Sequence, residues 1–259
     1  MSEKELLHEV RDGIATVTFN RPQARNALTF AMYEGLAAIC EDINSDRSIR
    51  ALVVTGAGDK AFAAGTDISQ FRAFDKPEDA LAYEARIDRV LGTIERCRVP
   101  TIAAIVGACT GGGAGIAAAC DLRIGAANAR FGFPIARTLG NCLAQSNLAR
   151  LSALIGPARV KDIVFTARLV EAEEAHRIGL LNEILPDPDS LRRRAAELAR
   201  TVAGHAPLTL QATKEGLRRL QQEAADESKD LILMCYMSND FREGMEAFLN
   251  KRAPNWTGT

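Results

Sequence analysis

The stretch IVGACTGGGAGIAAACD, residues 105–121, holds five glycines between positions 107 and 115. An apolar run over 101–106 precedes it and alanines follow. The chain therefore passes from a buried strand into a helix through backbone nearly bare of side chains. Close helix–strand packing accounts for one or two such glycines, not for the run. A strand, a glycine turn and a helix start together surround an anionic or polarised oxygen with backbone N–H groups. The helix N-terminus adds about half a positive charge. Two nucleotide-binding versions fail on spacing: G-x-G-x-x-G needs glycine at Ile116, and a Walker loop needs lysine where Gly113 stands. Gly107-Ala108-Cys109-Thr110-Gly111 has the outline of a nucleophile elbow, with Cys109 as nucleophile and His176 or His205 as base. Neither histidine follows a strand in a loop, where such a base belongs.

The other constraints are mostly exclusions. The chain has 259 residues and a formal net charge of −1, enough for one large core or a core with a smaller appendage. That balance gives no reason to expect a nucleic acid or anionic membrane as partner. The charged start, MSEKELLHEV, lacks the apolar stretch of a signal peptide, so a cytoplasmic location is expected. The six cysteines have no CxxC or Cys/His metal spacing, which predicts free thiols and no metal. Residues 102–120 carry no charge, but their glycines and alanines are too weakly apolar to predict a membrane span.

Strands and helices alternate along the first half. Residues 14–19, 51–55, 101–106 and 122–124 read as strands; 30–43 and 79–96 read as helices, the first capped by Thr29 and the second with Ile87, Leu91 and Ile94 on one face. This predicts an α/β core. Helices over 160–166 and 172–178 and a strand over 181–185 follow, then three helices at 191–202, 208–225 and 228–248. The expected division is a core over 1–195 carrying the functional site and a helical region over 196–259. Pro186-Asp187-Pro188 and Gly204-His205-Ala206-Pro207 are the candidate seams.

A second stretch, KAFAAGTDI at 60–68, follows the 51–55 strand and its glycine loop. Its small residues let a backbone N–H approach a ligand closely, and with 107–115 it can form a two-donor oxyanion hole. Each such donor is worth roughly 3 kcal/mol in a transition state. KAFAAGTDI and GACTGGGAGIAAACDLRI together resemble the crotonase, or enoyl-CoA hydratase/isomerase, family. FNRPQARNAL, ARFGFP, ARLVEAEEAHRIGLLNEI and FREGMEAFLNKR match it in the same order over nearly the whole chain.

The resemblance implies a spiral of ββα units with a helical C-terminal trimerisation region, assembling as a trimer or hexamer. It implies an acyl-CoA thioester as substrate, coenzyme A arriving as part of that substrate, and no permanently bound cofactor. The thioester oxygen would sit between the Thr66 and Gly112 N–H groups. Gln23, Ala24, Arg25, Ala64, Asp67 and Ile68 would contact coenzyme A, with Phe248 and Lys251 covering its adenine end.

The sequence departs from the hydratase pattern at two positions. The resemblance places one glutamate two residues after the glycine triplet and another after the proline of FGFP; here they are Gly115 and Ile135. Neither transfers a proton, so the reaction is expected to differ from ordinary enoyl-CoA hydration. Arg137, Thr138, Asn141, Cys142 and Gln145 lie where the family lines its acyl pocket. Gly140-Asn141-Cys142 echoes the segment in which aryl-CoA dehalogenases carry a nucleophilic aspartate, making Cys142 a candidate nucleophile and Asn141 a candidate neighbour. Arg137 is a candidate for a substrate carboxylate or a phosphate. Glu84, on the preceding helix, could reach the pocket, but a solvated helical glutamate is the expectation. A non-catalytic acyl-CoA binder is the alternative of another class.

Overall fold

The computed structural model describes residues 4–222, 233 and 236–255. It opens with an antiparallel hairpin, β1 (Leu6–Arg11) and β2 (Ile14–Phe19). The alternation of β2 sends Ala15, Val17 and Phe19 inward, while β1 stays largely exposed. In α1 (Phe30–Ser45), the Thr29 hydroxyl accepts from Met32 N–H at 3.3 Å. Its inner face buries Met32, Tyr33, Leu36, Cys40 and Ile43; burying one such large side chain contributes about 1.5–3 kcal/mol.

The chain then repeats one pattern three times: a strand in a large sheet, a strand in a small sheet, and a helix. The first turn is β3 (Ala51–Gly56), β4 (Ala61–Ala63) and α2 (Pro77–Glu95). The second is β5 (Thr101–Ile105), β6 (Ala108–Thr110) and α3 (Gly112–Ala119), and the third is β7 (Leu122–Ala126), β8 (Arg130–Gly132) and α4 (Ile135–Thr138). Then come α5 (Gln145–Ile155), α6 (Pro157–Thr166), β9 (Val170–Glu171), α7 (Ala172–Arg177) and β10 (Glu183–Leu185). The C-terminal part contains α8 (Pro188–Ala203), α9 (Pro207–Gln222) and α10 (Asn239–Leu249).

The large sheet has the order β1-β2-β3-β5-β7-β10 and the small one β4-β6-β8-β9. Pairing is parallel except at β1/β2 and β8/β9. Strand β3 is buried on both faces, as its unbroken apolar run requires. Leu52 and Val54 face the main core, whereas Ala51 and Val53 face α8 through Leu191, Ala195 and Ala199. No helix among the described residues is long and apolar enough to cross a membrane.

Several expectations need correction. The glycine run does open a helix, at Gly112, but β6 separates Gly107 from the glycines that do so. Pro186-Asp187-Pro188 is a helix start, with the Asp187 carboxylate accepting from Ser190 N–H at 2.7 Å. The expected 195/196 division falls inside α8. A single helix over 228–248 is interrupted: the Ser238 hydroxyl accepts from Phe241 N–H at 2.9 Å and caps a new start. Most of 228–237, and the last residues of the helix expected over 208–225, lie outside the described residues.

One buried cation ties α3 to the sheet. Arg123 of β7 is 4% exposed. Its Nη1 donates to the Ala117 and Cys120 carbonyls at the C-terminal end of α3, and its Nε donates to Leu180 O at 2.9 Å.

Candidate active site

Two loops meet at the N-terminal end of α3. Residues 64–67 run beside residues 25–28: Ala64 N–H donates to Arg25 O at 3.0 Å, Leu28 N–H to Gly65 O at 2.8 Å, and Asp67 N–H to Leu28 O at 2.8 Å. Arg21 pins the pair, its Nη1 donating to Ala27 O at 2.7 Å and to Asp67 Oδ2 at 3.0 Å. Partial burial raises the Asp67 carboxyl, but hydrogen bonds from Ser69 and the Arg21 guanidinium outweigh it, leaving the group below the usual carboxylate range. The pattern leaves Thr66 N–H without a hydrogen-bond partner among the described residues.

The facing loop is built by glycine. Gly111, at φ +52° and ψ −120°, ends β6 in a conformation side-chain-bearing residues rarely adopt. Its own N–H goes to Gly132 O at 3.0 Å, and its carbonyl accepts Gly115 N–H at 2.9 Å. Gly112, first in the helix, therefore keeps one of the N–H groups that every helix start leaves unpaired. A Cβ at Gly112 would stand 1.8 Å from the Tyr33 hydroxyl and 3.1 Å from Thr66 Oγ1. That residue is thus excluded from carrying a side chain, and it lies against Thr66. Tyr33 Oη and Tyr83 Oη each share a hydrogen bond with Thr66 Oγ1, at 2.9 and 3.0 Å. Burial pushes both phenols well above their ordinary range.

The lost glutamate positions are filled by different means. A Cβ at Gly115 would meet Leu91 Cδ1 at 3.4 Å and the Asn147 amide at 3.8 Å. Asn147 Oδ1 accepts from Arg150 at 2.8 Å, and Arg150 forms a two-pronged pair with Glu95 at 2.6 and 2.9 Å. Ile135 is buried at the start of α4.

Of the remaining candidates, Gln23 and Arg25 are exposed, and Ala24 and Ile68 half-buried, along the paired loops. Arg25 adopts φ +51°. Arg137 is exposed on α4, and Cys142 is half-buried and in no disulfide. Asn141 donates to Tyr236 Oη at 3.2 Å. Phe248 and Lys251 lie exposed at the end of α10, and among the described residues no hydrogen bond or ring contact joins them to the two loops.

The nucleophile elbow is overturned. Cys109 sits within β6, fully buried, its thiol pushed well up by burial. His176 Nδ1 faces Leu181 O at 3.0 Å and His205 is exposed on the surface, so neither is a base for Cys109. Glu84 also corrects its expectation. It is 6% exposed and accepts a hydrogen bond from Tyr236. Glu84 lies one helical step before Ile87 and Leu91 on the face of α2 that meets α3, a position the apolar stripe itself implied.

Fold and paired loops define the class, and comparison with known proteins agrees. The enoyl-CoA hydratase/isomerase family model matches residues 9–259. The chain is 34% identical over 256 residues to a short-chain-enoyl-CoA hydratase of Clostridium acetobutylicum, covering 97% of each chain. It is 33% identical to a crotonyl-CoA hydratase of Syntrophomonas wolfei, covering 99% of each. A solved enoyl-CoA hydratase/carnithine racemase from Magnetospirillum magneticum superposes with TM-score 0.80 at 37% identity, over 100% of this chain and 97% of that one. Methylmalonyl-CoA decarboxylase in complex with 2-nitronate-propionyl-CoA superposes with TM-score 0.89 at 27% identity, over 99% of each. The protein belongs to the enoyl-CoA hydratase/isomerase family and has its crotonase fold.

Proposed function

We propose that this chain acts on an acyl-CoA thioester, holding an enolate or related oxyanion between the Thr66 and Gly112 N–H groups. The observation carrying this reading is the pair of unpartnered amides on adjoining loops, one at the positive end of α3. Fixed dipoles of this kind need no reorganisation as charge develops on the carbonyl oxygen. The decarboxylase relative supports it chemically, since its ligand carries a nitronate, a planar group with negative charge on oxygen like an enolate. Gln23, Ala24, Arg25, Ala64, Asp67 and Ile68 line the path proposed for coenzyme A, and Phe248 and Lys251 its adenine end. Assembly as a trimer or hexamer belongs to the same reading.

Because Gly115 and Ile135 carry no acid or base, crotonyl-CoA hydration by the two-glutamate route is expected to be very slow. Incubating the protein with a panel of acyl-CoA thioesters and reading products by mass spectrometry tests both points. Turnover of at least one thioester, with crotonyl-CoA left nearly unchanged, is the expected result. Rapid hydration of crotonyl-CoA would refute the altered chemistry, and tight binding of several thioesters without any product would favour a binder.

A further inference from the structure

The carboxylate of Glu84 has no role in the reading above. Its Oε1 accepts the Tyr236 hydroxyl proton, and Tyr236 Oη in turn accepts from Asn141 Nδ2. Asn141 Oδ1 is buried and has no hydrogen-bond partner among the described residues. Among the described residues no cation pairs with Glu84, and the Tyr236 phenol is the hydrogen-bond partner seen on its carboxylate. Buried carboxylates held only for structure are normally paired or fully bonded, so a single phenol is a sparse environment.

The placement is as telling as the environment. Glu84, Ile87 and Leu91 form one stripe on α2, and Leu91 lies against the missing side chain of Gly115. The residue before Glu84, Tyr83, reaches Thr66 Oγ1. Rings of Phe71, Phe74, Tyr83 and Phe241 pack around Tyr236 and one another, holding its phenol in place. The titratable groups facing Glu84 are Tyr33 of α1, Tyr83 and Asp88 of α2, and Tyr236.

We propose that Glu84, oriented by Tyr236 and Asn141, is the proton-transfer group of the acyl-CoA site, a carboxylate mounted on α2 in place of those absent at Gly115 and Ile135. This rests on the two-amide reading. In the step, the Glu84 carboxylate takes a proton from the carbon beside the thioester carbonyl. The C–H bond breaks, an O–H bond forms on Glu84, and the electron pair moves onto the carbonyl oxygen, where the Thr66 and Gly112 N–H groups receive it. Glu84 then returns its proton to the product. Burial pushes its carboxyl up to about 7, opposed by the Tyr236 hydrogen bond and aided by Asp88, which suits a group that must both take and give a proton near neutrality.

Exchange of the acyl α-hydrogens of butyryl-CoA in D2O, read by mass spectrometry, tests the step without knowledge of the natural substrate. The full-length protein should exchange them. Glu84→Gln should lose at least about 100-fold in exchange rate while binding butyryl-CoA within about threefold of the original, and Glu84→Asp should recover part of the rate. Tyr236→Phe removes the bond that lowers the Glu84 carboxyl, so the half-maximal pH of exchange should move upward. Exchange at the original rate in Glu84→Gln, but not in Gly112→Ala, would overturn the assignment and leave the amide pair standing. Binding without exchange in the original protein would also overturn it, and absence of binding would remove both readings.

Discussion

The two ends of the first turn of α3 make an instructive pair. At Gly112 the proposed chemistry is carried by backbone, and the surroundings leave no alternative residue: a Cβ there would meet Tyr33 at 1.8 Å. At Gly115, one turn on, a Cβ would meet only ordinary contacts at 3.4 and 3.8 Å. The first position is determined by packing, whatever the proposed function adds. The second is open, and what it lacks can be supplied from a neighbouring helix. Backbone donors must be kept in place, whereas a side-chain acid can move to any element that reaches the same space.

The sharpest way to break this contrast is at the closed end. Gly112→Ala should lower thioester turnover or α-hydrogen exchange by about 100- to 1,000-fold, since Tyr33 and Thr66 must shift to admit the methyl. Gly112→Pro deletes the N–H but brings the same clash, so it is cleaner in a Tyr33→Phe background. If Gly112→Pro in that background keeps full rate, the amide there is not used; full rate in Gly112→Ala, which retains the N–H, would show only that the pocket admits the methyl.

A smaller effect is expected on stability at Glu84. Its native carboxyl value, about 7, lies above the ordinary 4.5, so ionising it disfavours the folded state. The cost is absent below about 4.5, grows between the two values and is complete above about 7. Glu84→Gln should therefore stabilise the protein at pH 8 by up to about 3 kcal/mol, the product of that shift and 1.36 kcal/mol per pH unit. The gain should vanish toward pH 4.5. Denaturant titrations at both pH values measure it, and a loss of stability at pH 8 would mean that the surroundings of Glu84 favour its ionised form.

The smallest effect belongs to the open end. Gly115→Ala should raise stability by about 0.5–1 kcal/mol through helix propensity, with turnover unchanged within about twofold. A large fall in turnover would show that the space beside Leu91 and Asn147 must stay empty for substrate.

Much of the frame was legible in the residues. The long strands and amphipathic helices declared themselves by period, and Thr29 by its capping chemistry. The strands of the small sheet did not: β4, β6 and β8 have three residues each, too few for an alternation, and they exist because successive turns pair with one another. The interruption at Ser238 was readable in Ser238-Asn239-Asp240, a polar cluster of the kind that starts helices. For the site, the small residues around Thr66 and Gly112 pointed to close backbone approach. Glu84 was the miss. Charge suggested solvent, yet its spacing from Ile87 and Leu91 had already assigned it to the inner face, where Tyr236, 152 residues away, meets it.

The clamp of Arg123 on the far carbonyls of α3 has an electrical meaning. The helix is eight residues long, about 12 Å at 1.5 Å per residue, with its negative pole neutralised by a guanidinium that stays protonated at any working pH. Polarisation at the Gly112 pole is thus a standing field with no titration of its own. On the proposed reading, the acidity profile of turnover should accordingly register the movable proton, not the dipole proposed to receive the charge.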